Sequence, residues 1–131
     1  MLVFLCRHAQ AAPGEPDELR PLTAEGEAQA VRLGAWLASD GRAPAVVVSS
    51  PLLRARQTAA FVARETGAEL RVDARLAPGA GLAELRAVVG DVDGLAATVG
   101  HQPDCSEIVV ALTGSDPGFP PAGVATIELD P

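Results

Sequence analysis

Apolar and polar positions along this chain alternate between the two periods of regular structure. Leu2-Val3-Phe4-Leu5-Cys6 is an unbroken apolar run, as expected of a strand covered on both faces of a parallel sheet. Ala45 to Val48, Glu69 to Val72 and Leu95 to Val99 read as further strands, and Val124 to Leu129 alternates as a last one. Helical stretches lie between them. Thr23 is the expected N-cap of a helix reaching Ser39, with Ala30, Leu33 and Leu37 on one face. Ser50 as N-cap and Pro51 at the first helical position open a second helix that ends near Gly67. Leu82 to Val89, bracketed by Gly81 and Gly90, predicts a short third helix, and Pro103 opens a fourth running to about Thr113. A loop rich in Pro, Gly and acid runs from Ala11 to Leu22, and the stretch between Val72 and Leu82 fits neither period.

Strand followed by helix throughout predicts an α/β fold: a three-layer α/β/α sandwich around a mainly parallel sheet, with the last strand a candidate for an antiparallel edge. No internal repeat or linker divides the pattern. Residues 1–131 are expected to form one domain, with too little chain left over for a cap domain.

Composition narrows the function classes. With 48% hydrophobic and 21% charged residues the chain is expected to be globular rather than disordered. No apolar run approaches the roughly 20 residues that span a bilayer, and Leu2 to Cys6 is too short for a signal-peptide core and lacks a basic flank. A cytoplasmic location is the default expectation. A net charge of −7 and few aromatic residues argue against nucleic acid and anionic membrane as partners, so an anionic ligand needs a local basic cluster. Lysine is absent, which leaves arginine as the strong base for that cluster.

Cys6 and Cys105 are too far apart in sequence for a metal knuckle or a disulfide framework and read as small buried residues. A cysteine-dependent phosphatase would want an arginine six positions after its nucleophile, where this chain has Ala12 and Ala111. A metal hydrolase would need more than the two histidines; Asp104 could join His101, but no full ligand set is evident.

In open parallel sheets ligands bind beyond the carboxyl ends of the strands. Arg7-His8 follows the first strand, Arg54 falls in the first turn of the helix after the second, and Gly100-His101 follows the fourth. The chain's two histidines therefore both occupy such positions, and they form one site if their strands are neighbours. Arg56, Arg64 and Arg86 read as solvated helix surface. Arg20 lies in the loop, either as a site residue or as a structural partner of Asp17.

The strings Arg7-His8-Ala9, Asp17-x-x-Arg20-Pro21-Leu22-Thr23, Ser50-Pro51-x-x-Arg54-Ala55-x-Gln57-Thr58 and Gly100-His101-x-Pro103 resemble, in order and across nearly the whole chain, the histidine phosphatase superfamily. The Arg-Pro-Leu-Thr block and the short length resemble its small phosphohistidine phosphatases of the SixA type. The resemblance implies that His8 is the nucleophile that becomes phosphorylated, that Arg7 and Arg54 hold phosphate oxygens, that His101 supports the transferring group and that Arg20 is an additional pocket arginine. It implies neither metal nor cofactor.

Those roles are also chemically sensible. Guanidinium groups around the equatorial oxygens lower the barrier to phosphoryl transfer, the start of the Arg54 helix favours the same anion, and neighbouring arginines depress the proton affinity of His8. Two features depart from the wider superfamily. Ala9 stands where many relatives have glycine, and no carboxylic acid aligns with the glutamate of mutase-like relatives. Glu84 is the nearest candidate, with solvent exposure as its competing reading. A phosphoramidate relaxes the need for an acid, because a protonated imidazole leaves unaided. The expected activity is therefore removal of phosphate from phosphohistidine on a protein partner, which an open pocket can admit. The alternatives are a phosphatase for a small phosphoester metabolite, selected by the loop from Ala11 to Leu22, and a non-catalytic phosphate-binding module.

Overall fold

The computed structural model describes residues 1–39, 41 and 43–130. Their strands are β1 (Leu2–Arg7), β2 (Val46–Ser49), β3 (Glu69–Val72), β4 (Ala96–Gly100) and β5 (Val124–Glu128), with helices α1 (Ala24–Ser39), α2 (Leu53–Thr66), α3 (Leu82–Gly90) and α4 (Asp104–Thr113). The sheet order is β3-β2-β4-β1-β5, parallel except for β5, which runs antiparallel to β1 at the edge. The expected α/β architecture is therefore present, antiparallel edge included.

Alternation along β1 explains its continuous apolar sequence. Val3 and Leu5 join a core with Leu85, Val88 and Val89 of α3 and Ile108 and Val109 of α4. Phe4 and Cys6 face the other way, onto Leu33 and Leu37 of α1 and Ala55, Ala59 and Val62 of α2. Helices thus cover both faces. β3, at the opposite edge, leaves Leu70 and Val72 exposed.

Helix ends follow local chemistry. Thr23 Oγ1 accepts from the Gly26 amide at 2.9 Å, the expected N-cap of α1, and Gly67 closes α2 in the left-handed conformation. The start of α2 is different. It begins at Leu53 after a Leu52 N-cap with no side-chain bond, not at Pro51 after Ser50. Ser50 Oγ does accept from the Leu52 amide at 3.3 Å, but its amide donates to Val99 and its hydroxyl pairs more closely with His101, so Ser50 stays with the strand end and regular helix starts three residues later. Arg7 and Gly100 likewise prove to be the last residues of β1 and β4, paired in register, rather than the first residues after them.

The connections explain where a ligand can enter. From β1 the chain moves across the sheet to β2 and β3 through α1 and α2 on one face, then returns to β4 and β5 through α3 and α4 on the other. Right-handed crossovers require that change of face when the direction reverses. The segments after β1 and β4 therefore diverge to opposite faces, opening a crevice at their carboxyl ends.

Candidate active site

His8 and His101 occupy that crevice. Their ring centroids lie 5.3 Å apart with a 56° tilt, because the His8 amide donates to Gly100, which extends the β1–β4 ladder by one bond. Ala9 is buried behind, its amide donating to Thr58 Oγ1 at 3.0 Å, and that hydroxyl donates in turn to the Arg54 carbonyl. One threonine on α2 thus couples the loop after β1 to the first turn of the helix that carries Arg54.

The two rings are held differently. His8 Nδ1 is 2.7 Å from the Ala9 carbonyl. A carbonyl can only accept, so the proton sits on Nδ1 and Nε2 keeps its lone pair. His101 Nε2 pairs with Ser50 Oγ at 2.7 Å. Both rings are pushed down to a pKa of about 4, first by burial. The charges of Arg54, Arg7 and Arg20 lower His8 further, and those of His8 and Arg54 lower His101. Sequence reasoning ascribed the depressed proton affinity of His8 to the arginines alone; desolvation is the larger cause. Both imidazoles are neutral near pH 7.

Three guanidinium groups lie near enough to His8 to act on it by charge, and that of Arg54 also acts on His101. Arg7 donates from Nη1 to the Phe119 carbonyl at 2.8 Å, while its Nε is buried without a partner among the described residues. The segment it touches is pinned to the site twice more, by the Arg7 amide on the Gly123 carbonyl and by the Ala122 amide on the His8 carbonyl. Ala122 holds a φ of 61° to do so, a conformation that costs a non-glycine residue on the order of 1 kcal/mol or more. Arg54, buried on α2, donates from Nη1 to the Asp17 carbonyl and from Nη2 to Asp17 Oδ2, at 2.9 and 3.2 Å. Arg20 donates from Nε to the Ala12 carbonyl and from Nη1 to Asp17 Oδ1. Arg20 is therefore both a partner of Asp17 and a charge close enough to act on His8.

The remaining candidates lie elsewhere or do other work. Glu84 is only partly exposed, and its Oε1 accepts from the Gly81 amide at the start of α3. Asp104 is buried, with Oδ2 accepting from the Gly79 amide, and no group of three or more His, Cys, Asp or Glu among the described residues is arranged to hold a metal ion. Arg56 is half-buried, binding the Pro51 carbonyl; Arg64 lies over Phe61, and Arg86 is exposed. The Cys6 and Cys105 thiols are buried and pushed up, Cys105 to about 12, and so are inert at neutral pH.

Four contributors escaped sequence reasoning as contacts: Ser50 on His101, Asp17 on Arg54, Thr58 on Ala9, and the Phe119–Gly123 segment on Arg7. Ser50, Thr58 and Asp17 lie inside the strings that carry the family resemblance, so their types were visible. The segment from Phe119 had no such signal.

An unprotonated ring nitrogen beside fixed cationic donors can attack phosphorus and stabilise the charge that develops on it. Comparison with known proteins agrees. Residues 3–80 match the histidine phosphatase superfamily (branch 1). An uncharacterised protein of Picosynechococcus is 36% identical over 126 residues, which cover 90% of this chain and 76% of that one. Among solved structures, the protein histidine phosphatase SixA complexed with tungstate superposes with a TM-score of 0.87 at 29% identity, over 99% of this chain and 89% of that one. A structure from Agrobacterium tumefaciens, described as a SixA phosphohistidine phosphatase by assignment, gives 0.80 at 30% identity, over 95% and 89%. With the family pattern covering more than half of its length and the site geometry in place, this chain belongs to the histidine phosphatase superfamily and is a phosphatase of the SixA-like kind.

Proposed function

We propose that the protein hydrolyses phosphohistidine on a protein partner through a phosphorylated His8. Nε2 of His8 attacks phosphorus, the substrate's N–P bond breaks, and the substrate imidazole departs with a proton taken from solvent. Water then attacks phosphorus, the bond to His8 Nε2 breaks and inorganic phosphate leaves, the spare proton returning to solvent. Arg7, Arg54 and Arg20 hold the equatorial oxygens, and His101 stands against the transferring group. The chemistry is positioning and electrostatic stabilisation and calls on no metal.

The observation that carries this reading is the bond from His8 Nδ1 to the Ala9 carbonyl, which leaves Nε2 as the free nucleophile. The state of Asp17 supports a phosphoramidate over an alkyl ester. Its carboxylate is the one that touches the pocket arginines among the described residues, and hydrogen bonds from Arg20 and Arg54 hold its pKa below the usual carboxylate range. It is ionised near neutral pH and cannot protonate a departing alkoxide, whereas an imidazole leaving group needs no such acid.

Brief incubation with a labelled phosphodonor should give an acid-labile adduct on His8, absent from His8→Ala. Turnover of a phosphohistidine peptide should exceed that of a small phosphate ester. An adduct elsewhere, or a folded His8→Ala variant that still hydrolyses, removes the nucleophile; faster turnover of the ester moves the substrate to small metabolites.

A further inference from the structure

Asp17 is the one acidic side chain that touches the pocket arginines among the described residues, and it touches two of them. A carboxylate beside a phosphate site invites two opposite readings. It can compete with the phosphoryl group for the guanidiniums, or it can hold them in place for it.

We infer that Asp17 is a positioning residue that locks Arg54 and Arg20 into a single phosphate-binding unit. The inference rests on the reading of these arginines as phosphate ligands.

Donor accounting favours positioning over competition. A guanidinium carries five N–H donors in a rigid plane. Arg54 uses two of them on Asp17, one from Nη1 to the backbone carbonyl and one from Nη2 to Oδ2, so three remain for a ligand. Arg20 uses Nε on the Ala12 carbonyl and one Nη1 donor on Asp17 Oδ1, and again three remain. The two oxygens of one carboxylate thus complete the hold on both guanidiniums that the backbone carbonyls begin, and among the described residues three donors of each are left without a partner.

The placement suits the task. The Arg54 side chain is 9% exposed and that of Asp17 is 60% exposed, so the fixed cation is approached from the surface by the loop that carries Asp17. A 3-10 turn at Asp17–Leu19 shapes that loop: the Leu19 amide donates to the Pro16 carbonyl and the Arg20 amide to that of Asp17. Through Arg54 the carboxylate is one contact from the crevice, since that guanidinium acts on both rings by charge. Electrostatic balance agrees, since three arginines and one aspartate around two neutral imidazoles leave two net positive charges, the complement of a phosphoryl dianion. Without the carboxylate each guanidinium would keep a single backbone carbonyl, Asp17 for Arg54 and Ala12 for Arg20, and the two cations would repel each other with no bridge between them.

The two readings predict opposite signs. Removing a negative charge tightens anion binding if Asp17 competes, and weakens it if Asp17 positions. Inorganic phosphate should be titrated calorimetrically against wild type, Asp17→Asn, Asp17→Glu and Arg54→Ala, with kcat/KM on a phosphohistidine peptide measured in parallel. Asp17→Asn is expected to weaken phosphate binding about tenfold and to lower kcat/KM at least as much, and Asp17→Glu to restore part of both. Because Asp17 is on the surface, unchanged melting temperatures are expected in both variants. Phosphate binding that is tighter or unchanged in Asp17→Asn overturns the inference. If Arg54→Ala binds phosphate as wild type does, the phosphate pocket itself has been misplaced, and that failure is distinct because it requires no result from Asp17.

Discussion

His8 and His101 stand with ring centroids 5.3 Å apart at the ends of adjacent parallel strands, although 93 positions of the 131-residue chain separate them in sequence. Each has one ring nitrogen held, by a carbonyl in one case and a hydroxyl in the other. These bonds set the ring orientations, while burial keeps both imidazoles neutral.

Acid should reveal this pairing. Burial first, and neighbouring charge second, places both rings at a pKa of about 4 against an ordinary 6.5. Between those values the unfolded chain takes up protons that the folded chain refuses, so stability is complete above about pH 6.5 and declines as pH falls toward 4. The loss should be on the order of 1–3 kcal/mol for each ring, and His101→Gln should flatten the dependence. For the same reason kcat/KM, corrected for substrate ionisation, should hold its plateau well below pH 6. Melting curves and a pH–rate profile check both; an acid limb centred at 6.5 would contradict the buried, neutral His8.

Ser50→Ala removes the hydroxyl from His101 Nε2. The ring keeps its place in the chain but loses its orientation, so kcat should fall about tenfold and stability by about 1 kcal/mol. Steady-state kinetics and denaturant titration measure the two effects. A variant with unchanged kcat would show that backbone packing alone orients His101.

Arg7→Lys tests geometry at constant charge. Arg7 ties Nη1 to the Phe119 carbonyl and still has donors left to turn toward a ligand; a lysine ammonium is a point charge that cannot do both. Phosphate affinity should drop about tenfold or more with little change in melting temperature. Equal affinity in the lysine variant would mean that only charge matters at this position.

Gly26→Ala reaches the site through the backbone. A Cβ at Gly26 would collide with the Gln10 carbonyl oxygen, which accepts the Thr23 amide and lies in the loop leaving His8. The clash should cost about 1–3 kcal/mol and lower activity by shifting that loop. Gly90→Ala, where nothing lies within 4 Å, is the control and should leave both nearly unchanged. Similar behaviour of the two variants would show that the loop yields without consequence.

The helix start that sequence misplaced is instructive. Ser50-Pro51 has the local signature of an N-cap and first helical residue, yet α2 begins at Leu53. Capping preferences weigh only near neighbours, whereas the Ser50 hydroxyl divides between the Leu52 amide at 3.3 Å and the His101 ring at 2.7 Å, the latter about fifty residues away. The Asp17–Arg20 pair illustrates the same limit: its spacing of three is visible in sequence, but the second contact of Asp17, on Arg54, is not.

By itself the sequence determined which segments become strands and helices, because hydrophobic period, caps and turn residues act within a few positions of one another. It also determined which residues could do the chemistry, since His8, Arg54 and His101 lie at or just beyond strand ends whichever way the strands are ordered. Only the tertiary structure decided that β4 inserts between β2 and β1, which brings the two histidines together and buries them to neutrality, and that the loop after β1 meets α2, where Asp17 reaches Arg54. Strand order depends on long-range packing and crossover handedness, and these leave no periodic trace in the chain.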